Sequence, residues 1–172
     1  VFRFLSIVLL CMAAAIFYGL IHDQITIRVS LEYFTVLHPQ ILPVDYPPTA
    51  LALAWGVIAT WWVGLILGLI LAACSCWGKR PKLSARDLAG PVMTLLIVMA
   101  LGAALSGIIG CELAARHIIE PSVLVLERVP HDKIDNLIAA GASHLASYVL
   151  GFAGGIVVSI RAWMRRGKMP PV

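Results

Sequence analysis

Residues Ala50–Trp77 read ALALAWGVIATWWVGLILGLILAACSCW, and no Asp, Glu, Lys or Arg interrupts them. A helix needs about 20 mostly apolar residues to cross a bilayer, and each such charge near its centre would cost about 2.5–3.5 kcal/mol. The stretch is long enough and clean enough to span. Three other windows pass the same test: Phe4–Ile21, Val92–Cys111 and Leu137–Ile160. A water-soluble bundle would show a polar face on each helix, and these windows have none. The expected fold class is an all-α membrane protein. It forms a single transmembrane domain over residues 1–172, a four-transmembrane-helix bundle with a short extended or helical segment in the first outer loop.

Composition agrees. Of the 172 residues, 60% are hydrophobic and 13% charged, about half the charge of a soluble domain. The net charge of +4 does not point to nucleic acid, because the basic residues sit in short clusters beside apolar runs and form no single patch. The expected partner is the lipid bilayer. Arg3, the Lys79, Arg80, Lys82 and Arg86 group, and Arg161, Arg165, Arg166 and Lys168 are opposed only by Asp87. The other two connecting segments hold Arg28, Arg116, Arg128 and Lys133 against the eight remaining acids. The positive-inside rule then puts the N-terminus, the middle loop and the C-terminus in the cytoplasm. Val1 in place of Met suggests a GTG start codon translated literally, and trimming would look the same. The first apolar run, despite Ala13, Ala14 and Ala15, reads as a retained anchor and not a cleaved signal. Cys11, Cys74, Cys76 and Cys111 lack the spacing of a disulfide framework or a redox motif.

Small residues recur every four positions along the spans: Ala52, Gly56, Thr60, Gly64, Gly68 and Ala72; then Gly102, Ser106 and Gly110; then Ser143, Ser147, Gly151, Gly155 and Ser159. Such ladders let helix backbones approach closely, within one chain or between subunits. Trp55 suits the outer aromatic belt. Trp61 and Trp62 lie near mid-span, where packing inside the bundle is the simpler expectation and contact with a second subunit or a cofactor the other.

Polar chemistry gathers on the outer side. After His22, Asp23 and Gln24, residues 25–33 alternate apolar and polar, the period of a strand, with Arg28 and Glu32 on its water-facing side; helix is the alternative. His38-Pro39 and a turn-rich stretch from Pro43 to Pro48 follow. In the second outer loop Glu112, Arg116 and His117 share a helical face, Pro121 breaks it, and Asp132 is placed to cap span four with Asp135 in its first turn. His144 is the one ionisable group inside a window, in helical register with Tyr148, Gly151 and Gly155. An intramembrane ionisable residue is a functional candidate by default. His22, Asp23, Glu112, His117 and His144 have the donors to bind a metal, ligate a haem or relay protons; equally, His144 has the donors merely to bond a neighbouring helix.

These residues carry a resemblance. The stretches Tyr18–Gln24, Glu32–Thr35 with His38-Pro39, Trp55–Gly64, and His144–Tyr148 with Gly151-Phe152 and Gly154-Gly155 are similar to those of a family of small uncharacterised bacterial multi-pass membrane proteins. The resemblance implies a bacterial membrane protein and no particular chemistry, and the expected location is the inner (cytoplasmic) membrane. Short loops, packing ladders and the lack of a complete catalytic motif favour a structural or accessory subunit of a larger membrane complex, assembled with other subunits or with itself. The alternative is a metal- or haem-binding redox protein or enzyme with its site on the outer side. A transporter fits less well, since no window carries a midplane charge and no pair of broken helices is evident.

Overall fold

The computed structural model describes residues 1–42 and 45–168 of the chain, so Pro43 of the turn-rich stretch lies outside the described residues. Four long apolar segments are present, consistent with a multi-pass membrane protein. In chain order the helices are α1 (Phe2–Val29), α2 (Pro48–Ile58), α3 (Trp61–Cys76), α4 (Ala85–Ala115), α5 (Val123–Leu126) and α6 (Ile134–Gly167), with a π-helical turn at Tyr33–Leu37 and a 3-10 turn at His131–Lys133. Helix α1 packs along α2 and α3, and α4 along α6; the two groups meet mainly where α3 touches α6.

Two expectations change here. Residues 22–29 are no strand: α1 runs through them to Val29. A lone strand beside lipid would leave its backbone N–H and C=O groups unpaired, whereas a helix pairs them internally. The second span is one path but two helices, broken at Ala59 and Thr60. The Tyr148 hydroxyl donates to the Ala59 carbonyl at 3.4 Å, and the Thr60 hydroxyl donates to the Gly56 carbonyl at 2.5 Å. Side chains thus reach the backbone where the ladder is interrupted.

Glycines set the closest helix contacts. A Cβ on Gly56 would stand 2.9 Å from backbone atoms of Gly19 and Leu20, and one on Gly64 would stand 2.7 Å from Cα of Met12. Gly68 faces Val8 and Cys11, Gly110 faces Ala142, Gly102 faces Leu150, Gly151 faces Met99 and Gly155 faces Leu67. The ladders find their neighbours within this chain. Between α4 and α6, the hydroxyl of Ser143 donates to the Ala103 carbonyl at 3.0 Å and that of Ser106 to the Ala142 carbonyl at 3.1 Å. Gly64→Leu should therefore push α1 and α3 apart, since backbone atoms cannot swing aside as a flexible side chain would. Overpacking of this kind costs about 1–3 kcal/mol or more. A clear drop in the thermal unfolding midpoint in detergent is expected, and an unchanged midpoint would refute the close contact.

The aromatic expectations fare unevenly. Trp61 and Trp62 stay 44% and 39% exposed on the outside of the bundle, so they do not pack within it. Trp55, assigned to the belt, is buried against Ile27, Phe34 and Leu51. Asp132 lies in the 3-10 turn and makes no capping bond to α6, while Asp135 does occupy its first turn.

The basic end of the bundle is tightly organised. Ser84 and Asp87 form a reciprocal capping box that starts α4. Pro91 has no N–H to give the Asp87 carbonyl, and Arg165 donates to that carbonyl instead at 3.4 Å. Arg166 is fully buried and donates to four carbonyls: Pro81 at 2.6 Å, Cys74 at 2.6 Å, Trp77 at 2.8 Å and Arg80 at 3.0 Å. Its guanidinium closes the C-terminal end of α3, where carbonyls lack helical partners and the helix dipole is negative. The charge pattern had marked Arg166 only as an orientation signal.

Candidate functional site

At the opposite end, α1 and α6 bring together groups that are far apart in sequence. The extension of α1 past Ile21 carries His22 and Asp23 into the bundle, where Asp23 is 4% exposed. Helix α6 presents His144, also buried, and His144 Nε2 stands 3.2 Å from Asp23 Oδ1. The rings of His22 and His144 meet edge to face, 4.5 Å between centroids. One ligand atom from each of His22, Asp23 and His144 falls within 4.8 Å of the others.

The hydrogen-bond inventory of this trio does not close. His144 Nδ1 is 2.8 Å from the Ala140 carbonyl, which can only accept, so that nitrogen carries a proton. In a neutral ring Nε2 then holds a lone pair, yet it faces the lone pairs of a carboxylate. Something positive has to sit between them, a proton or a metal ion. His22 Nε2 is buried and has no hydrogen-bond partner among the described residues. Buried polar atoms are rarely left so, because desolvation without a partner costs about 1–3 kcal/mol.

A layer of aromatic groups fixes the trio. Tyr18 stacks on His22, one helical turn away, at 5.4 Å between centroids. The Tyr18 hydroxyl lies 2.7 Å from Ser147 Oγ, whose own proton goes to the Ser143 carbonyl at 2.9 Å, so Tyr18 is the donor. The π-helical turn folds back over the cluster and stacks Tyr33 on His144 at 4.3 Å and Phe34 on His38 at 5.1 Å. His38 also meets Trp55 edge to face at 4.4 Å. Its Nδ1 donates to the Tyr33 carbonyl at 3.0 Å, which leaves Nε2 as a free base. Burial lowers the His38 pKa from its ordinary value, with the bond to the Tyr33 carbonyl opposing; the ring is thereby kept neutral.

The other expected residues lie elsewhere. Glu112 is exposed and binds Arg116, with 2.7 Å from Nε to Oε1. His117 is exposed, has a left-handed backbone with φ 55°, and stands 4.0 Å from Glu120. Arg28 donates to Gln24, 2.8 Å to its side-chain oxygen, and Glu32 accepts from Ser30 at 3.1 Å. Of the five-residue constellation, only His22, Asp23 and His144 converge. Tyr148 lines the cavity beneath them. Tyr18, Tyr33 and His38 are not among the expected site residues, although all three fall in the stretches that carry the resemblance and Tyr18 stands at i, i+4 spacing from His22.

The geometry discriminates among ligands. An ion about 2.0 Å from His144 Nε2 and about 2.1 Å from Asp23 Oδ1 would see the two at about 100°, near the tetrahedral value, given their 3.2 Å separation. His22 offers a third ligand atom within 4.8 Å of the other two and would have to close in to complete three protein ligands. A porphyrin sandwiched between His22 and His144 does not fit, because rings whose centroids are 4.5 Å apart and meet edge to face leave no slot for a macrocycle. No protein-family model, curated protein or solved structure matches the chain.

Proposed function

We propose that this chain is a metal-dependent protein of the bacterial inner membrane. It binds one divalent first-row transition ion through His22, Asp23 and His144 on the outer side, with both termini cytoplasmic. The observation that carries the reading is the unclosed hydrogen-bond inventory. A proton between His144 and Asp23 would satisfy that pair but leave His22 Nε2 orphaned, whereas an ion held by the trio would also give His22 a partner if Nε2 is turned toward it. Two imidazoles and one carboxylate suit zinc and iron among the available ions. Three protein ligands leave coordination open, the arrangement of catalytic and not structural sites. His38 Nε2 supplies a neutral base beside it, so the reading extends to an enzyme. The charge asymmetry of the connecting segments supports the orientation. The packing ladders no longer argue for an accessory-subunit role, since their glycines meet neighbours within the chain.

The test is elemental analysis of protein purified in mild detergent, as isolated and after reloading with zinc or ferrous iron. Close to one equivalent per chain is expected, lost on dialysis against a strong chelator and regained on reloading. Substoichiometric metal under every loading condition would sink the reading. Affinity should also fall as pH falls, because the imidazoles must be deprotonated to ligate.

A further inference from the structure

At the basic end of the bundle one guanidinium is held in position with no acid to balance it. The Arg80 guanidinium lies over the Trp163 ring, 4.7 Å from its centroid, and its Nη1 passes close to Gly167, where an added Cβ would stand 3.3 Å away. Arg166 approaches the same indole at 5.5 Å. Its donors are met by four carbonyls, one of them the carbonyl of Arg80 itself. No carboxylate among the described residues pairs with Arg80. Asp87, the acid of this end, is engaged by Ser84 and Arg165. Two guanidiniums thus share one aromatic ring, and only one of them is met by acceptors.

Trp163 also ends an apolar stripe. Ile156, Ile160 and Trp163 follow i, i+4, i+7 on α6 and all are exposed, so the lipid-facing side of that helix runs up to the ring on which Arg80 lies. An indole beside basic residues is the usual composition of the boundary between hydrocarbon and headgroups.

We infer that Arg80, seated on Trp163, binds the phosphate of an anionic phospholipid whose acyl chains lie along Ile156 and Ile160. The indole face supports the cation and leaves its N–H fork for a ligand, and that fork matches two phosphate oxygens. Charge selects the headgroup. Lys79 and Lys82 flank Arg80 in sequence, Arg161 precedes Trp163 by two residues, and all three are exposed. A phosphoglycerol head brings one negative charge into that field, whereas a phosphocholine head brings a second cation with it. The stripe selects a lipid over free phosphate, because chains that already cover α6 hold the phosphate at high effective concentration. The site is independent of the proposed metal centre at the other end.

The experiment titrates full-length protein in mild detergent with dioleoyl phosphatidylglycerol and, separately, dioleoyl phosphatidylcholine, and counts bound lipid by native mass spectrometry. Preference for phosphatidylglycerol is expected, with affinity about tenfold weaker in Arg80→Gln and in Trp163→Leu. Arg80→Gln keeps the backbone carbonyl that Arg166 needs, so the variant should fold. Should it elute abnormally, Trp163→Leu and the wild-type arms decide. Lys82→Gln and Arg161→Gln remove the same charge from the same end and should cost about twofold or less, being screened by salt. Equal losses in all the charge variants would reduce the effect to diffuse surface attraction and overturn the site. Equal binding of phosphatidylcholine would overturn it too. Inorganic phosphate and glycerophosphoglycerol at the lipid's concentration should not displace the lipid; displacement would overturn the lipid as occupant in favour of a free anion.

Discussion

His144→Ala protein is expected to retain almost no metal under conditions where the wild type holds close to one equivalent, and Asp23→Asn the same. Changing groups that merely support metal ligands already costs 10–100-fold in affinity. Removal of a ligand itself should exceed about 100-fold on that scale. Asp23→Asn is the sharper variant, because the amide keeps the shape of the side chain and removes the charge that faces His144 Nε2 at 3.2 Å. Glu112→Gln and His117→Ala supply controls: both side chains are exposed and bonded to their own helix or turn, so metal content should not change. Equal loss in all four variants would point to general damage and contradict the assignment.

The second large effect is structural and belongs to the other end of the bundle. Arg166→Ala removes donors from four carbonyls at once. A buried acceptor left without a partner costs about 1–3 kcal/mol, so the total approaches the whole stability of a marginal fold. Loss of folded protein on detergent extraction is the expected outcome. Arg166→Lys should rescue only part, since an ammonium has three donors on a point charge where the guanidinium spreads five over a planar fork. Arg161→Ala, with its side chain exposed, should be silent. Ordinary yield and an unchanged unfolding midpoint for Arg166→Ala would show that the carbonyls find other donors.

The membrane-spanning character was legible because it depends on local composition: a charge-free window of sufficient length has few other uses. The strand reading of residues 25–33 failed for a reason specific to membranes. The buried positions Asp23, Thr26, Ile27 and Ser30 do follow the period of a helix, but three of the four are polar while Ile25 and Val29 are exposed, so polarity there is a poor guide to burial and the helical period is hidden. What decides the conformation is backbone satisfaction, and sequence pattern is silent on that. The same misreading placed Asp23 in a loop, where it would be solvated, when the continued helix buries it.

His144 was legible as a candidate, and its face was correctly tied to Tyr148, Gly151 and Gly155, which share the cavity with it. Its partners were harder to read. Glu112 and His117 were included because helix ends at similar depth are adjacent in one dimension; they lie on α4 and beyond it, and the other members on α1 and α6. Tyr33 and His38 reach the cluster only because the π-helical turn folds back, a non-local event. Arg166 shows the same limit from the other side. One arginine among several at a helix end has no local mark that distinguishes it as a buried clamp from its solvated neighbours Arg161 and Arg165.

The most direct measurement for the central claim is X-ray absorption at the edge of the bound metal in wild-type protein. Two imidazole nitrogens and one carboxylate oxygen at about 2.0–2.2 Å are predicted, with a light-atom ligand in the open position and one imidazole signature lost in His22→Ala. A first shell of sulfur, or of water oxygens without imidazole scattering, would contradict the account.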